Sequence, residues 1–242
     1  METRAWKVLA AGIALAAIAL MLSAHLISSG AKPRPEYKEY PPAGTIALPA
    51  PFDSGMPLGQ AIAGRRSVRE YSDSPVSLAQ LSSLLHSAQG ITHPDGYRSA
   101  PSAGGLYPLE TYVFANKVEG AAAGIYHYNI KRHSLELLKG GDFSEELYLA
   151  SFSQECVRNA AAVVIFSAVE GRVVKKYGEA GRGFVLMEAG HASQNLLLQA
   201  YALGLGAVPV GGFDGEDLDR LLGLDGKEER TIYLNAVGRK KG

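Results

Sequence analysis

The stretch Gly181–Phe213, GRGFVLMEAGHASQNLLLQAYALGLGAVPVGGF, constrains the fold of this chain more than any other. It reads as one long, mostly apolar helix, a glycine-broken stop, a short buried strand and a glycine pair. Apolar side chains recur at Phe184, Met187, Leu197, Leu198 and Tyr201, with Leu186 and Leu196 on the flanks. That stripe is wider than a one-sided surface helix needs, so the pattern predicts burial on more than one side. Gly204 and Gly206 supply the stop, since glycine tolerates the positive φ of a helix end. Val208–Val210 then reads as a strand ending at Gly211-Gly212, where no Cβ keeps another molecule away. A central helix that delivers bare backbone to a ligand is the expectation for the rest of the chain to meet.

At 242 residues the chain has room for one globular domain with a sizeable core plus an appendage. Lys+Arg and Asp+Glu both number 24, so the formal net charge is zero, which argues against nucleic acid as a partner. A single cysteine, Cys156, excludes an intrachain disulfide framework and any multi-cysteine metal site. It precedes an apolar strand-like run, the setting of a packing thiol rather than a nucleophile. The six histidines form no HxxxH pair, and no metal site is read.

Residues 1–30 stand apart. Arg4 and Lys7 precede the apolar run VLAAGIALAAIALML, which continues to Ile27 and is then just long enough to span a bilayer. Ser29-Gly30-Ala31 offers small residues for a signal peptidase. The segment is read as a membrane anchor with the domain facing outward; cleaved as a signal peptide, it would leave a secreted or periplasmic protein. Residues 31–56 hold Pro33, Pro35, Pro41, Pro42, Pro49 and Pro51 and form an extended tether, or a strap along the domain, with Ile46-Ala47-Leu48 as a short strand. The domain proper is placed at residues 57–242.

That domain opens with a short helix, Leu58–Ala63, and then RRSVREY. Arg65, Arg66 and Arg69 around Ser67 make a dense oxyanion-binding set, because guanidinium donors match phosphate oxygens in pairs; a solvated basic turn is the alternative. Ser77 caps a helix through Gln89, with Leu78, Leu81, Leu84 and Leu85 on one face and Gly90 as its stop; His86 sits at its edge. The run Pro101-Ser102-Ala103-Gly104-Gly105 fixes an irregular backbone with little side-chain bulk. Strands are expected at Thr111–Ala115, Gly124–Asn129, Leu135–Leu138, Ala160–Ala168 and Thr231–Val237, and helices at Asp142–Phe152 and Glu216–Leu222. A charged segment, Glu170–Glu179, contains Lys175-Lys176-Tyr177, and the chain ends in the basic cluster Arg239-Lys240-Lys241.

A dinucleotide (Rossmann) reading of GLGAVPVGG fails, because its glycines follow a helix instead of opening one. In order, RRSVREY, APSAGGLYPLETYVF, EAGHASQNLLLQAYALGLG and VPVGGF resemble the nitroreductase superfamily, and more narrowly its SagB/ThcOx-type dehydrogenases, over roughly residues 57–240. The resemblance implies an α+β fold, a mainly antiparallel sheet flanked by helices. It also implies a homodimer with FMN sites at the interface and the long helix near the dimer core. It assigns the FMN phosphate and ribityl chain to Arg65, Arg66, Ser67, Arg69 and Arg239, and gives Pro101, Ser102 and Ala103 a reach toward the flavin from the partner subunit. The superfamily's Glu-Gly at the strand end is Gly211-Gly212 here, so Gly212 would offer its amide to flavin N5 without the glutamate. Tyr107-Pro108-Leu109 replaces the superfamily's Gln-Pro-Trp, and Lys176-Tyr177 resembles the proton-transfer pair of azoline dehydrogenases or forms part of a solvated charged face. The implied activity moves a hydride between flavin N5 and a small or peptide, azoline-like substrate. The alternatives are an NAD(P)H-dependent nitro or quinone reductase and a non-catalytic, membrane-tethered flavin-binding module.

Overall fold

The apolar run AVVIFSAV and the alternating LETYVFA cannot both be surface strands, and they become neighbours in the middle of a sheet. A computed structural model of the chain describes residues 36–41 and 44–241; the N-terminal anchor or signal segment expected at 1–30 lies outside the described residues. The strands are β1 (Thr45–Ala47), β2 (Val76–Ser77), β3 (Leu109–Ala115), β4 (Val118–Glu119), β5 (Gly124–Asn129), β6 (Ser134–Gly140), β7 (Ala162–Val169), β8 (Leu205–Val210) and β9 (Glu229–Arg239). Seven of them form one sheet in the order β1-β6-β5-β3-β7-β9-β8, and every described pairing in it is antiparallel. The short strands β2 and β4 pair in parallel beside it.

Helices cover both faces: α1 (Leu58–Gly64), α2 (Leu78–Gln89), α3 (Ser144–Ala150), α4 (Glu155–Arg158), α5 (Gly171–Tyr177), α6 (Ala180–Ala202) and α7 (Gly215–Leu222). On one face Leu81, Leu84 and Leu85 of α2 and Val185, Leu196 and Leu197 of α6 pack on Leu109, Val113, Val164 and Phe166. On the other, Leu147, Val157, Leu218 and Leu222 pack on Tyr112, Phe114, Ile125 and Ile165. The result is the α+β sandwich expected, a mainly antiparallel sheet between helix layers. Local signals act where they were read. Ser77 and Gln80 form a reciprocal capping box on α2, and Asp214 accepts the Asp217 N–H at the start of α7. Cys156 is buried, and burial pushes its thiol above the usual range.

Three expectations change. Gly204, at φ 72°, ends α6 alone, whereas Gly206 lies inside β8, where an added Cβ would meet Val68 Cγ1 at 2.7 Å. The helix expected to run through Phe152 stops at Ala150. Helix α6 buries Val185, Ala189, Ala192, Leu196 and Ala200 on one side only, leaving Leu186 and Met187 58% and 63% exposed. Hydrophobic periodicity marks what is removed from water, and it does not say whether the same chain removes it. From Glu36 onward the Pro-rich segment is a strap: Lys38 Nζ donates to Glu229 and Tyr112, the Tyr40 N–H to Glu136, and β1 extends the sheet alongside β6. Among the described residues no helix is long and apolar enough to cross a membrane.

Candidate active site

The arginine-rich segment after α1 and the basic C-terminal end come together at one end of β8 and β9. Ser67 bridges Ala207, the Val68 N–H donates to the Ala207 carbonyl at 3.0 Å, Tyr71 bridges Lys240, and the Ser72 N–H reaches the Arg239 carbonyl at 2.9 Å. Tyr71 fastens the crossing: its hydroxyl donates to the carbonyls of Val68 and Ala236 at 2.8 and 3.1 Å, and burial raises its phenol well above the ordinary value.

The basic side chains do not behave alike. Arg66 and Arg69 are exposed and Arg65 half-buried, and neither Arg65 nor Arg69 has a side-chain hydrogen bond or ion pair among the described residues. Arg66 folds back, its Nη1 donating to the carbonyls of Ala63 and Arg65 at 3.0 and 2.8 Å. The Arg239 guanidinium turns to the start of α2, donating through Nε to the Pro75 carbonyl at 2.7 Å and through Nη2 to Gln80 at 3.4 Å. Ser67 is exposed between the free arginines. The expected meeting of chain ends is present, with Arg66 and Arg239 already occupied.

Strand β8 carries the chain from Ala207 to the exposed Gly211-Gly212, four residues on, or about 14 Å at the usual strand rise. The doublet is held from behind. Gln154 Nε2 donates to the Gly212 carbonyl at 2.8 Å and to the Ser151 carbonyl at 2.9 Å, while the Asp214 N–H reaches the Ala150 carbonyl at 2.7 Å. Between them Phe152 and Ser153 sit at φ 54° and 57°, a left-handed backbone that disfavours bulky residues and gathers at working sites. The Phe152 ring is 64% exposed, and its Cδ2 lies 3.8 Å from where a Gly212 Cβ would be. Phe152 falls at the end of the expected helix 142–152 and Gln154 just beyond it, and neither carries a sequence signal of its own.

A third group forms around the loop Arg98–Tyr107. Ser102 Oγ accepts the Tyr107 N–H at 2.9 Å, and Tyr107 Oη accepts the Arg98 N–H at 3.0 Å, so the loop closes on itself. Pro101 is exposed, and Ser102 and Ala103 are half-buried. Gly104 has φ 64°, and a Cβ there would stand 2.7 Å from Tyr177 Oη and 2.9 Å from Lys176 Nζ. The Lys-Tyr pair of α5 therefore rests directly on the small-residue loop. Lys176 Nζ lies 5.2 Å from the Tyr177 ring centre, and Phe184 meets that ring edge-on at 5.2 Å. Lys175 beside it is exposed.

Beneath the loop lie charges that sequence reading did not single out. Arg98 is buried, with Nη1 on Gln89 and on the Leu109 carbonyl at 2.9 and 3.2 Å; burial lowers its pKa against the pull of Glu110 and Glu188. Arg172 Nη1 meets Glu110 at 2.7 Å and the Tyr107 carbonyl at 3.2 Å. Glu188 of α6 is 2% exposed, and burial pushes its carboxyl up to about 7 against the opposing influence of Ser102, Arg98 and Arg172. A lone acid in the apolar half of a long helix was the signal available for it.

The Nitroreductase family model matches residues 62–239. A protein of Methanocaldococcus jannaschii that bears the name nitroreductase is 38% identical over 196 residues, covering 81% of this chain and 98% of its own length. The solved structure of a Ralstonia eutropha protein described as a nitroreductase aligns at TM-score 0.72 and 30% identity, over 86% of this chain and 95% of that one. The microcin B17-processing protein McbC of Escherichia coli is 26% identical over 67% of this chain and 62% of its own length. Its microcin synthetase complex, solved with a truncated pro-microcin bound, includes a chain that aligns at TM-score 0.64 and 22% identity, over 81% of this chain and 78% of that one. A Desulfovibrio desulfuricans protein of the same fold, 23% identical at TM-score 0.55 over 77% of this chain and 88% of that one, was solved in complex with FMN.

Proposed function

The chain belongs to the nitroreductase family of oxidoreductases, and on that premise we propose that it is an FMN-dependent dehydrogenase of the SagB/ThcOx kind, acting as a homodimer on a small or peptide substrate. The observation that carries this reading is the seating of Lys176 and Tyr177 against Gly104 of the Ser102 loop. Two side chains able to exchange a proton there stand beside a loop with little bulk to obstruct a ligand.

The residues present fit an FMN. Arg65 and Arg69, with no side-chain partner among the described residues, would take the phosphate with the Ser67 hydroxyl, and Arg66 and Arg239 could join only by leaving the carbonyls they hold. The open backbone of Gly211-Gly212 would lie against the ring and offer an N–H donor where negative charge develops. Bound FMN would supply a two-electron acceptor or donor at its ring. Phe152 would cover one side of the substrate space, and Lys176 and Tyr177 would hold or remove the substrate proton. Pro101, Ser102 and Ala103 belong to the same space, reached across the dimer from the partner subunit. The exposed row Gly183, Leu186, Met187 and Gly190 on α6 supports that pairing, since two exposed large apolar side chains on a central helix suit a second copy. The likeness to McbC supports a peptide substrate. We further propose that residues 1–30 anchor the domain, facing outward, in a membrane.

The test is a visible spectrum of the full-length protein, followed anaerobically. A flavin band that an azoline-containing peptide bleaches supports the dehydrogenase; a colourless protein that takes up no added FMN overturns it. The M. jannaschii likeness favours a second reading, a nitro or quinone reductase, for which NAD(P)H would bleach the band within the turnover time.

A further inference from the structure

Two buried arginines under the Ser102 loop are left short of hydrogen bonds by the domain, and the Pro-rich strap supplies what they meet. Arg98 is 5% exposed, yet its Nε and Nη2 have no hydrogen-bond partner among the described residues. Its guanidinium lies over two rings, that of Tyr107 in its own loop at 4.7 Å and that of Tyr37 in the strap at 5.6 Å. A buried cation gains most from an aromatic face, because water does not compete for it there. Arg172 repeats the pattern. Its Nε has no hydrogen bond, and Glu36, next to Tyr37, brings a carboxylate oxygen to 3.5 Å of it.

Both arginines hold Tyr107. The Arg98 N–H donates to its hydroxyl and Arg172 Nη1 to its carbonyl, while its own N–H goes to Ser102. Its φ of 48° is left-handed, a backbone that tyrosine keeps only where its surroundings impose it. The strap is also fixed beyond this point. Lys38 is held by Glu229 and Tyr112, and the Tyr40 N–H by Glu136, whose Oε2 also meets His127 on the way to Glu110 and Arg172.

We infer that the strap is a working part of the site, with Tyr37 as a positioning residue: seated on Arg98, it holds the 98–107 loop closed and so keeps Gly104 against Lys176 and Tyr177. The catalytic meaning of this rests on the flavin-site reading; the closure of the loop does not.

Amide hydrogen exchange on the full-length protein tests it without cofactor or substrate, at the Arg98 and Tyr107 amides that close the loop. Tyr37→Leu keeps apolar cover and removes the ring. It should cost both amides roughly five- to tenfold in protection, the scale of one desolvated cation–π contact, with the amides of β7 and β9 unchanged. Tyr37→Phe keeps a ring and should stay within about twofold of wild type. Equal protection in Tyr37→Leu and wild type overturns the inference. So does an equal loss in Tyr37→Phe, or a loss spread evenly over β7 and β9, which would mean only a less stable protein. Should Tyr37→Leu fail to fold, Lys38→Met loosens the strap at a point away from the loop. A Tyr40 amide that loses protection there while Arg98 and Tyr107 keep theirs overturns the inference alone. A protein that binds no FMN would remove the functional reading and leave this result standing.

Discussion

The arginine–glycine end and the loop cluster are built on opposite plans. The first presents the half-buried Arg65 and the exposed Arg69, Ser67 and Gly211-Gly212, held in place by strand bridges and by Gln154 behind them, with no side-chain partner for Arg65 or Arg69 among the described residues. The second sinks Arg98, Glu110, Arg172 and Glu188 below the surface, where each charge is fixed by the others. Exposed donors suit capture of an anion that brings its own charge. A buried, mutually constrained group suits the holding of a geometry, because breaking one member leaves the others unpaired.

The sharpest way to break this contrast is at α5. Tyr177→Phe or Lys176→Ala should lower turnover at least about 100-fold, the scale of a lost proton-transfer group, with the flavin spectrum and thermal midpoint unchanged. A loss of flavin instead would place the pair on the binding side. Next comes the buried acid. Glu188 is raised from 4.5 to about 7 in the folded protein, so its contribution to stability is fully present below about pH 4.5 and is lost as pH rises through 7. Wild type should lose up to about 3 kcal/mol across that window in urea titrations, and Glu188→Gln should flatten the curve. Smaller effects are expected at the open end. Arg65→Ala or Arg69→Ala should each weaken FMN binding on the order of tenfold by fluorescence titration, whereas Arg239→Ala, already bonded to Pro75 and Gln80, should appear chiefly in stability. Smallest of all, Phe152→Gly should shift stability by less than about 1 kcal/mol, because relief of the left-handed strain offsets the greater freedom of glycine. A raised KM in that variant would then belong to the lost ring.

The two plans also differ in how far the chain advertises them. RRSVREY and VPVGGF are contiguous and their residue types suggest their chemistry, so the open end could be named from the sequence; the structure then parts Arg65 and Arg69 from Arg66 and Arg239, which it bonds to protein oxygens. The sandwich was legible too, because the AVVIFSAV run, the Ser77 cap and the Asp214 cap act locally. The loop cluster was legible only in its Pro101–Gly105 and Lys176-Tyr177 pieces. That Lys176 rests on Gly104, and that Glu188 is buried, depend on how α5 and α6 pack, which no local pattern encodes. The charged run 170–179 hid helix α5 for the same reason: its Val173 is buried by tertiary contact, against the polarity around it. Gly206 was misread because glycine serves a close approach by Val68 as readily as a helix stop.

The outward row of α6 has a geometrical consequence. Leu186 and Met187 stand proud of the helix, while Gly183 and Gly190, seven residues or about two turns apart, leave bare hollows on either side. In the homodimer proposed above, a copy rotated by half a turn would set its ridges into these hollows and receive the same in return. Any substitution along that row would then be felt twice in one assembly, and a side chain placed at 183 or 190 would jam both halves of the lock at once.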